Sequence, residues 1–366
     1  MPASRQRHEE ERQDVLDKPK KSVRRKASGV TIDEVAALAG VSPMTVSRAI
    51  NQGKVRDVTR ERVMRAVREL GYTPNLAASS LAAAQHTRIA LIYTNPSGAY
   101  LRELLVGLLR VAANAAIQLV IHYWDNFDPA AERKAARALA GRVDGVILPP
   151  PLCESQAAVN ELLLAGIPVV AIASGHLRDD ISCVRIDDFH AGKEMAEHLI
   201  QHGHRRIGFI RGRTDLSASA RRYDGFVTAL HEAGLAVEPG LVQPGDYTYR
   251  SGLAAAEALL SHHRPPTAIF ASNDDMGAAA ISVAHRRGLE VPRDLSVVGF
   301  DDTSAATTVW PELTTLHQPI ASMADAAIDI LLRTIRRRSD DARVLTDHVV
   351  PHRLVIRDSV ARPSTG

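Results

Sequence analysis

Apolar positions in this chain follow two regimes. In the first, they recur at helical spacing. In "VTIDEVAALAGVSPMTVSRAINQ" (30–52), Ile32, Val35, Ala36 and Ala39 share one helical face, Thr31 and Glu34 have the spacing of a capping box, and Gly40 is placed to close the end. Ser42 then reads as the N-cap of a second helix and Pro43 as its first residue, where a missing N–H costs nothing. In that helix Val46, Ala49 and Ile50 face inward, while Met44, Ser47, Arg48 and Asn51 follow an i, i+3, i+4, i+7 pattern on the other side. A third helix is predicted after Thr59, with Val58 and Val63 as a hydrophobic staple, running through Ala66, Val67 and Leu70 to Gly71.

From Arg88 onward the apolar residues come instead in short unbroken runs: "RIALIY", "QLVIHY", "DGVILP" and "PVVAIA". The first three are each followed by a helical stretch before the next, the pattern of a parallel, doubly wound sheet. After "VRIDD" (184–188) the alternation restarts with "RRIGFIRG", "TAIFAS" and "LSVVGFDD". The fold class expected is therefore α/β: a small three-helix domain, then two similar lobes. In such a fold a ligand binds outside the carboxyl ends of the strands, in the cleft between the lobes. Tyr100, Arg222, Phe270, Asn273 and Asp301 all fall just beyond strand ends or near helix starts, where that cleft would be lined.

Charge adds an asymmetry to this picture. The chain of 366 residues has a net charge of +3. Residues 1–86 hold 16 Lys/Arg against 10 Asp/Glu, and the rest 29 against 32. A basic end on a mildly acidic body suits a polyanionic partner for one part only. Residues 1–29, rich in Lys and Arg and poor in core formers, are expected to be disordered; a merely solvated tail is the plainer alternative to a polyanion-binding arm. Between the regimes, "TPNLAASSLAAAQHT" (73–87) carries no charge from Pro74 to Gln85 and reads as a linker that folds on binding or docks on a core. Cys153 and Cys183 show no CxxC spacing. The start lacks a signal-peptide apolar run and no segment reaches 18 uninterrupted apolar residues, so a cytoplasmic protein without a membrane partner is expected.

Two short helices joined by a tight turn, the second exposing Ser, Arg and Asn, match a helix-turn-helix whose second helix enters a major groove. Arg48 is the natural base-edge reader, because a guanidinium can bond guanine O6 and N7 together. A small helical bundle with a solvated polar face is the alternative. In the linker an exposed Leu81 has the chemistry of a minor-groove wedge. No catalytic constellation accompanies these features. The chain lacks GxxxxGK[ST], GxSxG, HExxH and GxGxxG, and its fifteen histidines show no metal spacing. "HGH" (202–204) and "HH" (262–263) read as helix-end residues. Asp187–Asp188, Asp274–Asp275 and Asp301–Asp302 resemble paired carboxylates, but sequence neighbours generally point apart. Neither an enzyme, a metal nor a cofactor is expected.

The motifs "VTIDEVAALAGVSPMTVSRAIN", "RVMRAVRELGYTPNLAASSL", "GHRRIGFIRG", "RRYDGF", "TAIFASND", "VPRDLSVVGFDD" and "LTTLHQP" together resemble the lactose/galactose-repressor family of bacterial transcription regulators, over roughly residues 30–335. The resemblance implies a homodimer or tetramer on operator DNA, a hinge helix that forms on DNA, and a ligand domain like the periplasmic sugar-binding proteins. It implies boundaries at 1–29 (tail), 30–73 (helix-turn-helix), 74–86 (hinge), 87–358 (effector binding and dimerisation) and 359–366 (C-terminal tail). It places Ser42, Thr45, Ser47, Arg48 and Asn51 at DNA contacts, Pro43 and Met44 where operator preference varies, and Asn75, Ala78 and the intercalating Leu81 in the hinge. Arg222, Asn273 and Asp301 match the commonest effector-binding positions, and Tyr100 and Phe270 the aromatic or variable ones. Ala173 and Ala218 stand where some members carry a polar ligand contact, so no particular member's sugar transfers. The function implied is repression of a carbohydrate-utilisation operon under a sugar or sugar derivative. A purine or other non-sugar effector is the alternative, and a free-standing sugar-binding protein would leave residues 30–81 unexplained.

Overall fold

The computed structural model describes residues 30–50, 55–72, 86–94, 97–124, 128–175, 178–336 and 344–363. The basic tail, Asn51, Asn75, Ala78, Leu81 and the rest of the hinge up to residue 85 lie outside the described residues. The chain divides into two compact units between residues 84 and 85.

The first unit holds α1 (Ile32–Ala39), α2 (Pro43–Ile50) and α3 (Asp57–Leu70). The capping box forms as expected: Thr31 Oγ1 accepts from Glu34 N and the Glu34 carboxylate accepts from Thr31 N at 2.8 Å. Gly40 ends α1 at φ 63°, a left-handed conformation that only glycine adopts without strain. Val35, Ala36, Ala39, Val46, Ala49, Val63 and Ala66 fill the core. These are small side chains, and small side chains let short helices approach closely enough to bury them. The start of α3 departs from expectation. It begins at Asp57, and Val58 is 73% exposed, so the Val58–Val63 staple does not form. Val55 packs against the core instead, and the chain enters the helix three residues early.

The second unit has two lobes. Lobe 1 is a six-stranded parallel sheet in the order β11-β5-β4-β3-β1-β2, built from β1 (Thr87–Tyr93), β2 (Ile117–Tyr123), β3 (Gly145–Leu148), β4 (Val169–Ile172), β5 (Ser182–Arg185) and β11 (Asp347–Val349). Its crossover helices are α4 (Gly98–Asn114), α5 (Pro129–Arg137) and α6 (Gln156–Leu164), and α12 (Ile320–Arg336) packs against α4. Lobe 2 is a parallel sheet in the order β7-β6-β8-β9, from β6 (Ile207–Ile210), β7 (Val242–Gln243), β8 (Ala268–Ala271) and β9 (Ser296–Val298). It carries α7 (Asp188–Gln201), α8 (Ser217–Glu232), α9 (Tyr249–Leu260), α10 (Asp274–Arg286) and α11 (Ser304–Thr308). β10 (Thr315–His317) and β12 (Arg353–Val355) form an antiparallel pair beside it.

The chain passes between the lobes three times: from β5 into α7, from β10 into α12, and from β11 into β12. The seven strand runs read from the sequence all correspond to strands, and "VRIDD" overlaps the end of β5, whereas β7, β10, β11 and β12, each of two or three residues, carry no readable period. The segment expected as a C-terminal tail from 359 is instead part of lobe 2. Ser359 is fully buried; its O accepts from Val297 N at 3.0 Å and its Oγ accepts from Thr314 N at 2.8 Å. The reason is that β9 would otherwise leave buried peptide groups unpaired at the sheet margin.

Candidate functional site

On α2 the cap at Ser42 fixes the start of the helix: Ser42 Oγ accepts from Thr45 N at 3.3 Å and lies 2.9 Å from Thr45 Oγ1. The buried side is Val46 and Ala49, and from this the outward face follows. Ser42, Pro43, Met44 and Arg48 are exposed, Met44 by 65%, and Thr45 and Ser47 are half-buried. The C-terminal end of α2 is tied down by α3, where Arg60 Nη1 donates to Ala49 O at 2.7 Å. The result is a rigid short helix presenting a guanidinium, hydroxyls and a thioether to solvent, a set suited to reading groove edges and phosphates.

The second site lies between the two lobes. Ser97 N-caps α4, accepting from Tyr100 N, which places Tyr100 in its first turn and in the pocket wall. Pro150 and Pro151 follow β3, and Ala173 follows β4. From lobe 2 come Arg213, Leu216, Ala218, Arg222, Tyr247, Asn273 and Asp301, with Gln318 at the second crossing. The pocket has about 490 Å³ of empty space, counting that at its mouth.

Arg222 is set by the packing of α7 on α8. A Cβ on Gly192 would sit 2.3 Å from Arg222 O, and one on Gly225 2.1 Å from Phe189 O, so the two helices touch through backbone. There Arg222 Nε donates to Asp188 Oδ1 at 2.7 Å, Nη1 donates to Ser272 O at 2.7 Å, and the guanidinium stacks 3.7 Å from the Phe300 ring centre. Asp301 Oδ1 stands 3.7 Å from Arg222 Nη1 and accepts from Gln318 Nε2 at 2.7 Å. Asn273 caps α10: its Oδ1 accepts from Met276 N and its Nδ2 donates to Tyr247 O, both at 3.0 Å.

Burial pushes the Asp301 carboxyl up to about 7 against the pull of Arg222 and Gln318. Burial also raises Asp188, which Arg222 opposes, and Asp274, where Asp301 adds to the rise. Backbone strain concentrates here as well. Among the described residues the non-glycine residues with positive φ are Ala173 (57°), Tyr247 (71°), Asp301 (106°) and Asp302 (59°), and the first three line the pocket. Such conformations persist only where the surroundings hold them, and they cluster at ligand sites.

Of the residues expected in the cleft, the structure brings Tyr100, Arg222, Asn273 and Asp301 together and leaves Phe270 out. Phe270 lies inside β8, fully buried, with its ring 5.0 Å from Phe209 and 6.2 Å from Phe226. It is core. Ala173 and Ala218 do line the pocket. Sequence reading missed Ser97, Pro150, Pro151, Arg213, Leu216, Tyr247 and Gln318. "LTTLHQP" contains Gln318, but only the crossing of the chain brings it to the cleft.

The three aspartate pairs do split. Asp187 caps α7 by accepting from His190 N at 3.1 Å, whereas Asp188 holds Arg222. Asp274 accepts from Thr303 N at 2.7 Å, whereas Asp275 accepts from Ser97 Oγ of the other lobe at 2.9 Å. Asp302 faces His317 Nδ1 at 2.9 Å, away from the pocket-lining Asp301. Among the described residues no cluster of His, Cys, Asp and Glu is placed to hold a metal ion, and no helix is long and apolar enough to cross a membrane.

A solvent-facing helix-turn-helix on one unit and a strained interlobe pocket on the other define a ligand-responsive DNA-binding protein. The family model for bacterial regulatory proteins of the lacI family matches residues 31–75, and that for a periplasmic binding protein-like domain matches residues 196–360. Catabolite control protein A of Priestia megaterium is 34% identical over 332 residues, covering 90% of this chain and 99% of its own. The solved complex of the transcriptional regulator CelR with cellobiose is 33% identical with a TM-score of 0.69, over 90% of this chain and 99% of that one. The lac repressor dimer bound to operator and an anti-inducer is 27% identical with a TM-score of 0.71, over 91% and 100%. The chain belongs to the lacI family: it is a DNA-binding transcription regulator controlled by a small-molecule effector, not an enzyme.

Proposed function

We propose that the chain represses a carbohydrate-utilisation operon, binding a pseudopalindromic operator as a homodimer through Ser42, Pro43, Met44, Thr45, Ser47, Arg48 and Asn51, with Asn75, Ala78 and Leu81 of the hinge reaching the minor groove. Tyr100, Arg222, Asn273 and Asp301 hold a sugar or sugar derivative between the lobes, and the protein works in the cytoplasm. The observation that carries the DNA half is the outward face of α2, with Arg48 exposed over a helix whose other side is locked by Val46 and Ala49. Support for a sugar comes from the similarity to the cellobiose-bound regulator and from a pocket pairing fixed hydrogen-bonding groups with flat apolar walls. An effector shifts the DNA equilibrium only through unequal affinity for the two lobe arrangements. Selection and sequencing of random duplexes retained by the purified full chain tests the reading. Two inverted half-sites should emerge; enrichment without sequence preference would overturn it.

A further inference from the structure

Resting on that assignment of the interlobe pocket as the effector site, we infer that the effector is an uncharged, donor-rich molecule such as a free sugar or polyol, and that the pocket rejects phosphorylated or carboxylated ligands.

The inference follows from which groups the protein has already paired. Two cations line the pocket. Arg222 is engaged by Asp188 and Ser272 O and stacked on Phe300, while Arg213 Nε donates to Asp215 Oδ1 at 3.0 Å on its own loop. Each cation therefore arrives with its own counter-ion. Asp301 shares one of them: Arg222 stands 3.7 Å away and is bonded more closely to Asp188. Three more carboxylates surround the site. Asp274 is fully buried next to Asp301, Asp275 bonds the pocket residue Ser97, and Glu154 accepts from Ser217 Oγ beside Ala218. Arg222 is thus divided between two acids, and Pro150, Pro151 and Leu216 make much of the remaining wall apolar. An incoming anion would enter a low-dielectric pocket whose two lining cations are already bonded to acids of the protein.

The hydrogen-bonding groups point the same way. Among the described residues, Tyr100 Oη and Gln318 Oε1 are buried side-chain atoms of the pocket wall with no hydrogen-bond partner. A carboxamide oxygen and a carboxylate accept only, and a phenol both accepts and donates. A ligand that satisfies them must bring O–H or N–H donors. A sugar hydroxyl does this; a phosphate, an acceptor at every oxygen, does not.

The test compares melting temperatures of the full chain with matched pairs: glucose and glucose 6-phosphate, ribose and ribose 5-phosphate, galactose and galacturonate. Neutral and anion-exchange-retained fractions of a host metabolite extract are run beside them. The neutral fraction should raise the melting temperature, and for any pair that binds, the neutral member should bind at least about tenfold more tightly. In Asp301→Asn, compared with wild type at pH 8, that ratio should shrink, because the acid that shares Arg222 with Asp188 is gone while the shape is kept. A shift caused by the retained fraction or by the anionic member of a pair overturns the inference and leaves the pocket's role standing. A shift from neither fraction overturns the effector assignment itself, and this inference with it.

Discussion

α2 and the interlobe pocket are both built to recognise, yet they prepare their side chains in opposite ways. On α2 Met44 and Arg48, the proposed reading residues, stand in solvent on a helix fixed from behind. In the pocket Arg222, Asn273 and Asp301 are buried and bonded to other protein groups, and three of the lining residues are held at positive φ. The difference matches the partners. DNA offers many contacts along a long edge, so each side chain can wait hydrated and be ordered on arrival. A small molecule offers few, so its contacts must be preorganised.

The largest effect should come from removing the best-tied pocket group. Arg222→Ala leaves Asp188 and Asp301 without their cation, and a broken buried pair costs about 3–5 kcal/mol. Denaturant unfolding should show that loss, and calorimetry with the ligand found by fractionation should show no binding. Phe270→Ala is the control. It empties a core position at a cost of about 3–5 kcal/mol, yet its ligand affinity, measured below the melting transition, should stay within a few-fold of wild type. Equal ligand loss in both would mean that the pocket's contacts are only stability.

A middle-sized effect is expected on α2. Arg48→Ala should lose about 1–3 kcal/mol of discrimination at one base pair per half-site, while its unfolding free energy moves by no more than about 0.5 kcal/mol. Titration against single-base operator variants, run beside melting curves, measures both. A stability loss matching the DNA loss would erase the contrast between the two regions.

The smallest effect is a pH slope. Asp301, raised to about 7 by burial, holds a proton in the folded state over a range where the unfolded chain has released it. Its contribution to stability is full below the ordinary aspartate range and is lost as pH rises through about 7. Stability of the second unit should therefore fall more between pH 5 and 8 in wild type than in Asp301→Asn, read as urea midpoints. Parallel midpoints would show Asp301 ionised throughout.

The two regions also differ in how far the sequence reveals them. The first unit is almost wholly local: the capping box, Gly40, Ser42 and Pro43 each act within four residues, so α1 and α2 were legible to the residue. Only the start of α3 departs from the local signals, where Val55 packs on the core. In the second unit the strand runs were legible, but parallel strands are covered on both faces, and "AIFA" is buried at every position. Nothing in such a run says which side a residue takes, so Phe270, which faces the ring cluster, looked like a pocket residue, while Ile269 and Ala271 turn to the other core. Arg222 and Asp301 are legible from their places near strand ends and helix starts, and the family resemblance points to the same two. Gln318, Tyr247 and the positive-φ backbone belong to turns whose partners are far along the chain, and no local pattern announces them.

The three passages between the lobes impose a mechanical limit. A body hung from another by one strap can twist, slide or swing; hung from three straps side by side, it keeps little beyond the swing. The straps run through 186–187, 318–319 and 350–352, and Asp188 and Gln318 sit on or directly beside two of them. A molecule held by Gln318 and by the Arg222 that Asp188 anchors thus pulls at the axle of the movement, where a small displacement becomes a large arc at the far edge of each lobe. In the proposed function, what the effector sets is an angle, and leverage carries it outward.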